Sequence, residues 1–311
     1  MSENLVIAIT MGDPAGVGPE ISLKAAAQVK DICTPVIVGD RAVLEQVAEK
    51  LSLPLPETVL DCRFISDAVE PGKLDKAYGE ASFGYVISAI EGAKDGRFDA
   101  VVTAPIAKAA WHLAGIYENG HTEVFAKACG IEDYAMMFWS PRLVVSLCTC
   151  HQSLESVPHT LTAERIHTVT RLTGEAIRKI EGKEPKLAVL GLNPHAGEAG
   201  AFGTQDDEII APAIELAKAE GWDVTGPMPA DAAFMPHNLP AFDGFVTMYH
   251  DQGTIPFKMI SMHDGVNTTL GLPIIRTSVD HGTAFDIAWQ NKASESSLVS
   301  AIQLAVKLAQ K

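Results

Sequence analysis

The stretch LVIAITMGDPAGVGPEISLKAAAQV, Leu5 to Val29, carries the reading on which the fold turns. A short apolar run enters a loop holding three glycines and two prolines, and a helical pattern follows. An uninterrupted apolar run of this length reads as a strand covered on both faces. Pro19 and Glu20 suit a first helical turn: proline's missing N–H is not needed there, and an acid meets the positive end of the helix dipole. The loop lacks the GK[ST] of a P-loop, so no lysine reaches a phosphate from it. Its glycines are spaced GxxxGxG, not in the GxGxxG order of a dinucleotide fingerprint. Only Asp40, which closes the next apolar run, keeps a nucleotide-binding reading open for this segment.

The strand-then-helix pattern recurs. TPVIVGD leads into RAVLEQVAEKL, and FDAVVTAPI into AKAAWHLAG. LVVSLCTCH precedes a long helical stretch from Leu161 to about Ile180, and KLAVLGLNPH precedes a helix near Asp206 to Glu220. GFVTMYHD follows, and the helical SESSLVSAIQLAVKLAQ comes last. This alternation predicts an α/β fold with a largely parallel sheet. A chain of 311 residues with 47% hydrophobic content can fill two lobes. No linker is visible, so the crossings are expected in YENGHTE, near residue 120, and in the loop from Gly265 to Gly282. That divides the chain into 1–118 with 283–311, and 119–282.

The net charge of −15 gives no electrostatic footprint for nucleic acid or an anionic membrane. Five scattered cysteines without a CxxC predict a reduced, cytoplasmic protein. The start lacks a basic n-region and a cleavage site, and no apolar run is long enough to span a membrane.

His151, His195 and His250 each follow an apolar run directly, in VVSLCTC-His151, LAVLGLNP-His195 and GFVTMY-His250. Ligands of open α/β sheets bind beyond the carboxyl ends of the strands, so three imidazoles delivered there are candidate ligands of one divalent ion. Singly, each is an ordinary polar residue opening a loop; the three together, in NPHAGE and YHDQG contexts, favour a site. Glycines and acids beside them suit tight loops and hydrogen bonds that orient imidazoles. His121, after Asn119-Gly120 and before Thr122, marks either a plain helix cap or an anion-binding helix start. Lys258, Asn267 and Arg276 lie among glycines and apolar residues in an acidic chain, with Arg276 expected at a strand end. They suit a phosphate or carboxylate. Asp280-His281-Gly282-Thr283 precedes FDIAW, a turn and short helix that either contacts a cofactor or is a simple cap.

The motifs ITMGDPAGVGPEI, TAPIAK, GHTE, NPHAGEAGAFG, YHDQG and GVNTTLGLPIIRTSVDHGTAFDIA, in that order, resemble the 4-hydroxythreonine-4-phosphate dehydrogenase family over nearly the whole chain, from about Ile7 to Lys292. The resemblance implies a two-lobed fold like isocitrate and isopropylmalate dehydrogenases, with a cleft between the lobes and a homodimer whose active site is shared. It implies NAD and one divalent ion (Zn, Mg, Mn or Co) held by His151, His195 and His250, the last from a partner subunit. It also implies that the second lobe, 119–282, holds the metal ligands and dimer contacts. His121, Thr122, Lys258, Asn267 and Arg276 would bind a small phosphorylated hydroxy acid. The segment DHGTAFDIA is similar to the adenosine-side segment of isopropylmalate dehydrogenases, which makes Asp280, His281, Gly282, Thr283 and Asp286 candidate cofactor contacts. Asp251, Asp231 and Lys258 are candidates for proton transfer and catalysis. Gln152-Ser153-Leu154 departs from the apolar residues and proline common after the first histidine. TAFDIAW and DYAMM resemble the branch that acts on D-threonate or D-erythronate 4-phosphate, giving dihydroxyacetone phosphate. The alternatives are 4-hydroxy-L-threonine 4-phosphate in vitamin B6 synthesis and a dihydroxy-cyclohexadiene dicarboxylate.

Overall fold

The computed structural model describes residues 4–310. Among them eleven strands form: β1 (Val6–Thr10), β2 (Thr34–Gly39), β3 (Val59–Asp61), β4 (Ala100–Thr103), β5 (Ala135–Trp139), β6 (Val144–Leu147), β7 (Lys186–Leu190), β8 (Asp223–Met228), β9 (Gly244–Thr247), β10 (Val266–Leu270) and β11 (Ile275–Val279). Helices separate most of them, as the alternation predicts. The chain folds into two compact units, one running to Glu132 and resuming at Leu272, the other spanning Asp133–Gly271. The crossings therefore fall later than residue 118 on the way out and earlier than residue 282 on the return. The reason is pairing and packing. The helix His121–Cys129 packs on the helix Lys76–Lys94, and β11 pairs in parallel with β4, so both stay with the first unit.

In the first unit the strand order is β3-β2-β1-β4-β11, and every pairing is parallel. β1 sits inside this order and is buried from Ile7 onward, which its unbroken apolar run anticipates. The helix Ser296–Ala309 packs on β11, β4 and β1, and Thr277 donates to the Ala301 carbonyl at 2.8 Å.

The glycine loop after β1 is buried from Met11 through Glu20. Four of its amides bond to the chain itself: Met11 N donates to Val38 O, Asp13 N to Pro105 O, Gly16 N to Asp13 O and Val17 N to Thr283 O. At Gly18 a Cβ would collide with the Met11 carbonyl oxygen, which is why glycine stands there. The loop is thus a packing hub, not a phosphate cradle. Glu20 does more than start its helix: fully buried, it accepts from Lys24 Nζ at 2.7 Å and from the amides of Asn291 and Ala293. Asp40 is also consumed structurally. Its carboxylate accepts from Phe64 N, Ile65 N and Tyr85 Oη, which removes it as a ribose partner.

In the second unit the order is β10-β5-β6-β9-β7-β8. β5 is antiparallel to both β10 and β6, while β6, β9, β7 and β8 run parallel. The core between this sheet and its helices includes Phe138, Val145, Leu147, Leu190, Phe245 and Phe257. Three consecutive places in the sheet are therefore taken by β6, β9 and β7, the strands that precede His151, His250 and His195. Their carboxyl ends share one edge, which is what brings the histidine-bearing loops to the same side.

Candidate active site

In the first unit, His121 opens the nine-residue helix His121–Cys129 behind Gly120. The residue is half-buried, and its ring lies edge-on to Trp111, with centroids 5.9 Å apart. Burial holds its pKa well below the ordinary histidine value, and the charges of Arg276 and Lys108 push the same way. The ring is neutral at physiological pH, and Nε2 is buried with no hydrogen-bond partner among the described residues. Thr122 follows, also buried, and its Oγ1 accepts from Arg276 Nη1 at 3.5 Å. Arg276 Nη2 donates to Thr103 Oγ1 at 2.9 Å, and the guanidinium faces the Phe125 ring at 5.8 Å.

Arg276 is 3% exposed, and burial lowers its pKa to about 9, opposed by the charge of Glu123. A guanidinium placed in so dry a setting, beside a helix N-terminus, an imidazole and a hydroxyl, is suited to an anion. Arg276 lies near the start of β11, not at a strand end, because the run LPII straddles the bend before the strand. Lys108 was not anticipated: its Nζ lies 4.0 Å from where a Cβ at Gly120 would stand, so it adds a cation at the same helix start. The motif TAPIAK carried the signal. The two other expected phosphate ligands, Lys258 in the helix His250–Ser261 and Asn267 on β10, belong to the second unit.

The candidate cofactor segment follows β11 in the first unit. Thr283 O accepts from Val17 N at 2.9 Å, Asp286 O accepts from Gln290 Nε2 at 2.8 Å, and His281 Nδ1 lies 3.0 Å from Gly282 O. Phe285–Ile287 forms the expected short helical turn. Asp280 and Thr283 are half-buried, while His281, Gly282 and Asp286 are exposed. A Cβ at Gly282 would meet nothing, and its φ is not left-handed, so neither packing nor backbone requires glycine there.

In the second unit, the rings of His151 and His250 lie 5.5 Å apart and line a pocket of about 460 Å³ with Cys150, Gln152, Tyr249 and Asp251. Small-molecule sites commonly occupy roughly 300–1,000 Å³. His250 is the first residue of its helix, and its Nδ1 lies 2.7 Å from Asp251 Oδ1. Asp251 is thereby placed to orient an imidazole. His195 makes a matching pair, with Nδ1 2.7 Å from Glu198 Oε2. That bond and the charges of Glu198 and Asp231 raise its pKa above the ordinary value, and the helix Ala230–Ala233, which carries Asp231, packs against this turn. In both pairs the carboxylate engages Nδ1 and leaves Nε2 to point elsewhere, the arrangement that orients metal-binding histidines. The donor chemistry therefore fits a divalent ion. Among the described residues of one chain, no three His, Cys, Asp or Glu side chains converge as a metal centre: His151 and His250 are neighbours, and His195 is not grouped with them. His195 itself has a left-handed backbone, φ 53°, a conformation that costs a non-glycine residue roughly 1–2 kcal/mol.

A beta-decarboxylating dehydrogenase from Thermococcus kodakarensis shares the fold, with a TM-score of 0.54 at 16% identity over 97% of this chain and 83% of that one. Relatives at much higher identity are dehydrogenases by name. A 4-hydroxythreonine-4-phosphate dehydrogenase of Desulforapulum autotrophicum is 44% identical over 96% of this chain and 94% of its own. A D-threonate 4-phosphate dehydrogenase of Salmonella typhimurium is 41% identical over 99% of this chain and all of its own, 100%. A solved structure from Salmonella typhimurium, described as a 4-hydroxythreonine-4-phosphate dehydrogenase, superposes with a TM-score of 0.88 at 40% identity, covering 98% of this chain and 100% of that one. The chain is an α/β oxidoreductase of the dehydrogenase class. The family model described as pyridoxal phosphate biosynthetic protein PdxA matches residues 31–305, and the chain belongs to that family. No helix among the described residues is long and apolar enough to cross a membrane.

Proposed function

We propose that the protein oxidises a 4-phosphorylated four-carbon hydroxy acid, D-threonate or D-erythronate 4-phosphate, with NAD as acceptor. The C3 hydroxyl loses its proton, the C3–H bond gives its hydride to the nicotinamide, and a C3 carbonyl forms. The resulting 3-oxo acid loses its carboxylate as CO2, which leaves dihydroxyacetone phosphate. The observation that carries this reading is the buried Arg276–Thr122–His121 group at a helix N-terminus, built for a phosphate. Its guanidinium and hydroxyl bind the phosphate, the neutral His121 can donate a hydrogen bond to it, and Lys258 and Asn267 are further candidate substrate ligands. His151, His195 and His250 would hold a divalent ion, which when bound lowers the pKa of a hydroxyl and favours carbonyl formation. Asp251 and Glu198 fix the imidazoles, and Asp231 or Lys258 serves the proton transfer. The strap Asp280–Asp286 receives the nucleotide.

The homodimer is part of the proposal. The helix His250–Ser261 and the residue after it leave Ile255, Met259 and Met262 exposed at 56%, 82% and 72%, at the i, i+4, i+7 spacing of one helix face. A second copy covering that face would complete a triad of which one chain brings two members together.

The 44% identical relative named for 4-hydroxythreonine 4-phosphate supports a second reading, in which the substrate is the amino acid phosphate. NADH formation on D-threonate, D-erythronate and 4-hydroxy-L-threonine 4-phosphates and on the unphosphorylated acids, with and without chelator, tests both. Chelator-sensitive turnover of the sugar-acid phosphates is expected. Preference for the amino acid phosphate favours the second reading, and turnover indifferent to the phosphate overturns both.

A further inference from the structure

The segment that carries His195 has an unusual backbone. Six consecutive residues, His195, Ala196, Gly197, Glu198, Ala199 and Gly200, all have left-handed φ values between 43° and 87°. L-residues visit this region singly, not in runs. The turn is internally bonded, with Glu198 N donating to His195 O and Ala201 N to Glu198 O. It sits partly in solvent, so apolar packing alone does not hold it. A run of this kind persists only where its surroundings over-determine it.

The over-determining group is Asp206. It is fully buried, 0% exposed, as the first residue of the helical segment Asp206–Ile210, although its neighbours Gln205, Asp207 and Glu208 are polar. Oδ1 accepts from Leu192 N at 2.8 Å; Oδ2 accepts from Asn193 N at 3.2 Å and from Asn193 Nδ2 at 2.8 Å. Asn193 is also tied to Gln205 at 2.9 Å, and its carbonyl accepts from Ala196 N, the first hydrogen bond of the turn. Gly197 backs directly onto the Asp206 side chain, where a Cβ would stand 3.2 Å from that of Asp206. One buried carboxylate therefore fixes the two residues before the turn and contacts its middle.

We propose that Asp206 is a positioning residue: by anchoring Leu192 and Asn193 it holds the turn His195–Gly200 left-handed, and so sets where His195 presents Nε2 while Glu198 engages Nδ1. The inference rests on the reading of His195 as a metal ligand. Orienting groups of this kind typically alter metal affinity about 10–100-fold when removed.

The test is Co2+ affinity, measured by competition with a chromophoric chelator, in the full-length wild-type protein, Asp206→Asn, His195→Ala and the double variant. Asp206→Asn keeps shape but replaces an acceptor with a donor facing the Asn193 amide. Its Co2+ affinity is expected to fall about 10–100-fold, with no further fall when the change is added to His195→Ala. Should Asp206→Asn fail to fold, judged by thermal unfolding without metal, Asn193→Ala removes one of the three anchors. It should show a smaller loss with the same dependence on His195. Wild-type Co2+ affinity in the Asp206 variant, or an equal loss with and without His195, overturns the positioning role. Wild-type affinity in His195→Ala overturns the metal reading itself, a separate result.

Discussion

The two units keep their candidate sites in opposite electrostatic states. In the first, Arg276 and the Nε2 of His121 are buried, and the imidazole is held neutral. In the second, His195 and His250 stand in or near solvent at 65% and 37% side-chain exposure, each steadied by a neighbouring carboxylate. The difference teaches what each site still needs. A buried guanidinium is poorly solvated and gains from an anion that pairs with it. An exposed set of carboxylate–imidazole pairs has its orientations set but not its convergence, and under the proposed reading an ion and a second copy would supply it.

The largest expected effect breaks the second site. Chelation, or His151→Ala, should lower turnover by two orders of magnitude or more, because a Lewis acid supplies several kcal/mol to oxidation of a hydroxyl. Steady-state NADH formation, with the metal content of the purified protein measured alongside, checks this. Unchanged turnover would remove the metal from the account.

The next effect tests the burial in the first unit. Asp13, in the glycine loop, is fully buried; it accepts from Ala15 N through Oδ1, while Oδ2 has no partner among the described residues. Burial raises its pKa to about 6 from 3.8, with the Ala15 hydrogen bond opposing. A raised folded-state pKa means a stabilising contribution that is complete below pH 3.8 and is lost as pH rises through about 6. The shift corresponds to an order of magnitude of about 3 kcal/mol between those limits. Denaturant unfolding from pH 4 to 7.5 should show this slope in the wild type and not in Asp13→Asn. Parallel profiles for the two proteins would contradict the burial argument.

The smallest effect sharpens the cofactor assignment. Gly282→Ala should leave the thermal midpoint unchanged, since the added Cβ meets nothing. If nucleotide packs against this turn, NAD affinity measured by calorimetry should fall by roughly 1–2 kcal/mol, the size of a modest packing conflict. Unchanged affinity places the nucleotide elsewhere.

Local features of the sequence carried far. Apolar runs broken by His151, His195 and His250 locate strand ends because the break from buried to polar is written residue by residue. His121 as a helix start is legible for the same reason. The adjacency of β6, β9 and β7 is not, because that order is set by packing among strands distant in sequence. The glycines of the opening loop permit close approach, and what approaches is the chain itself, at Thr283 and Pro105, partners that lie too far away in sequence to be read from the loop. Asp13, Asp40 and Asp206 sit in segments whose composition is that of exposed loops, and only the fold shows that their carboxylates are buried and hold backbone amides.

The central claim is that a buried cationic group in the first unit selects a phosphate. Its most direct test is kcat/KM for one four-carbon acid with and without its 4-phosphate, in wild type and in Arg276→Met, which keeps the apolar stem. The account predicts a wild-type preference for the phosphorylated acid. It also predicts a loss of about 10²–10³-fold on that substrate in the variant, as for two charge-assisted hydrogen bonds. The unphosphorylated acid should be little affected. An equal loss on both substrates, or none on either, would contradict it.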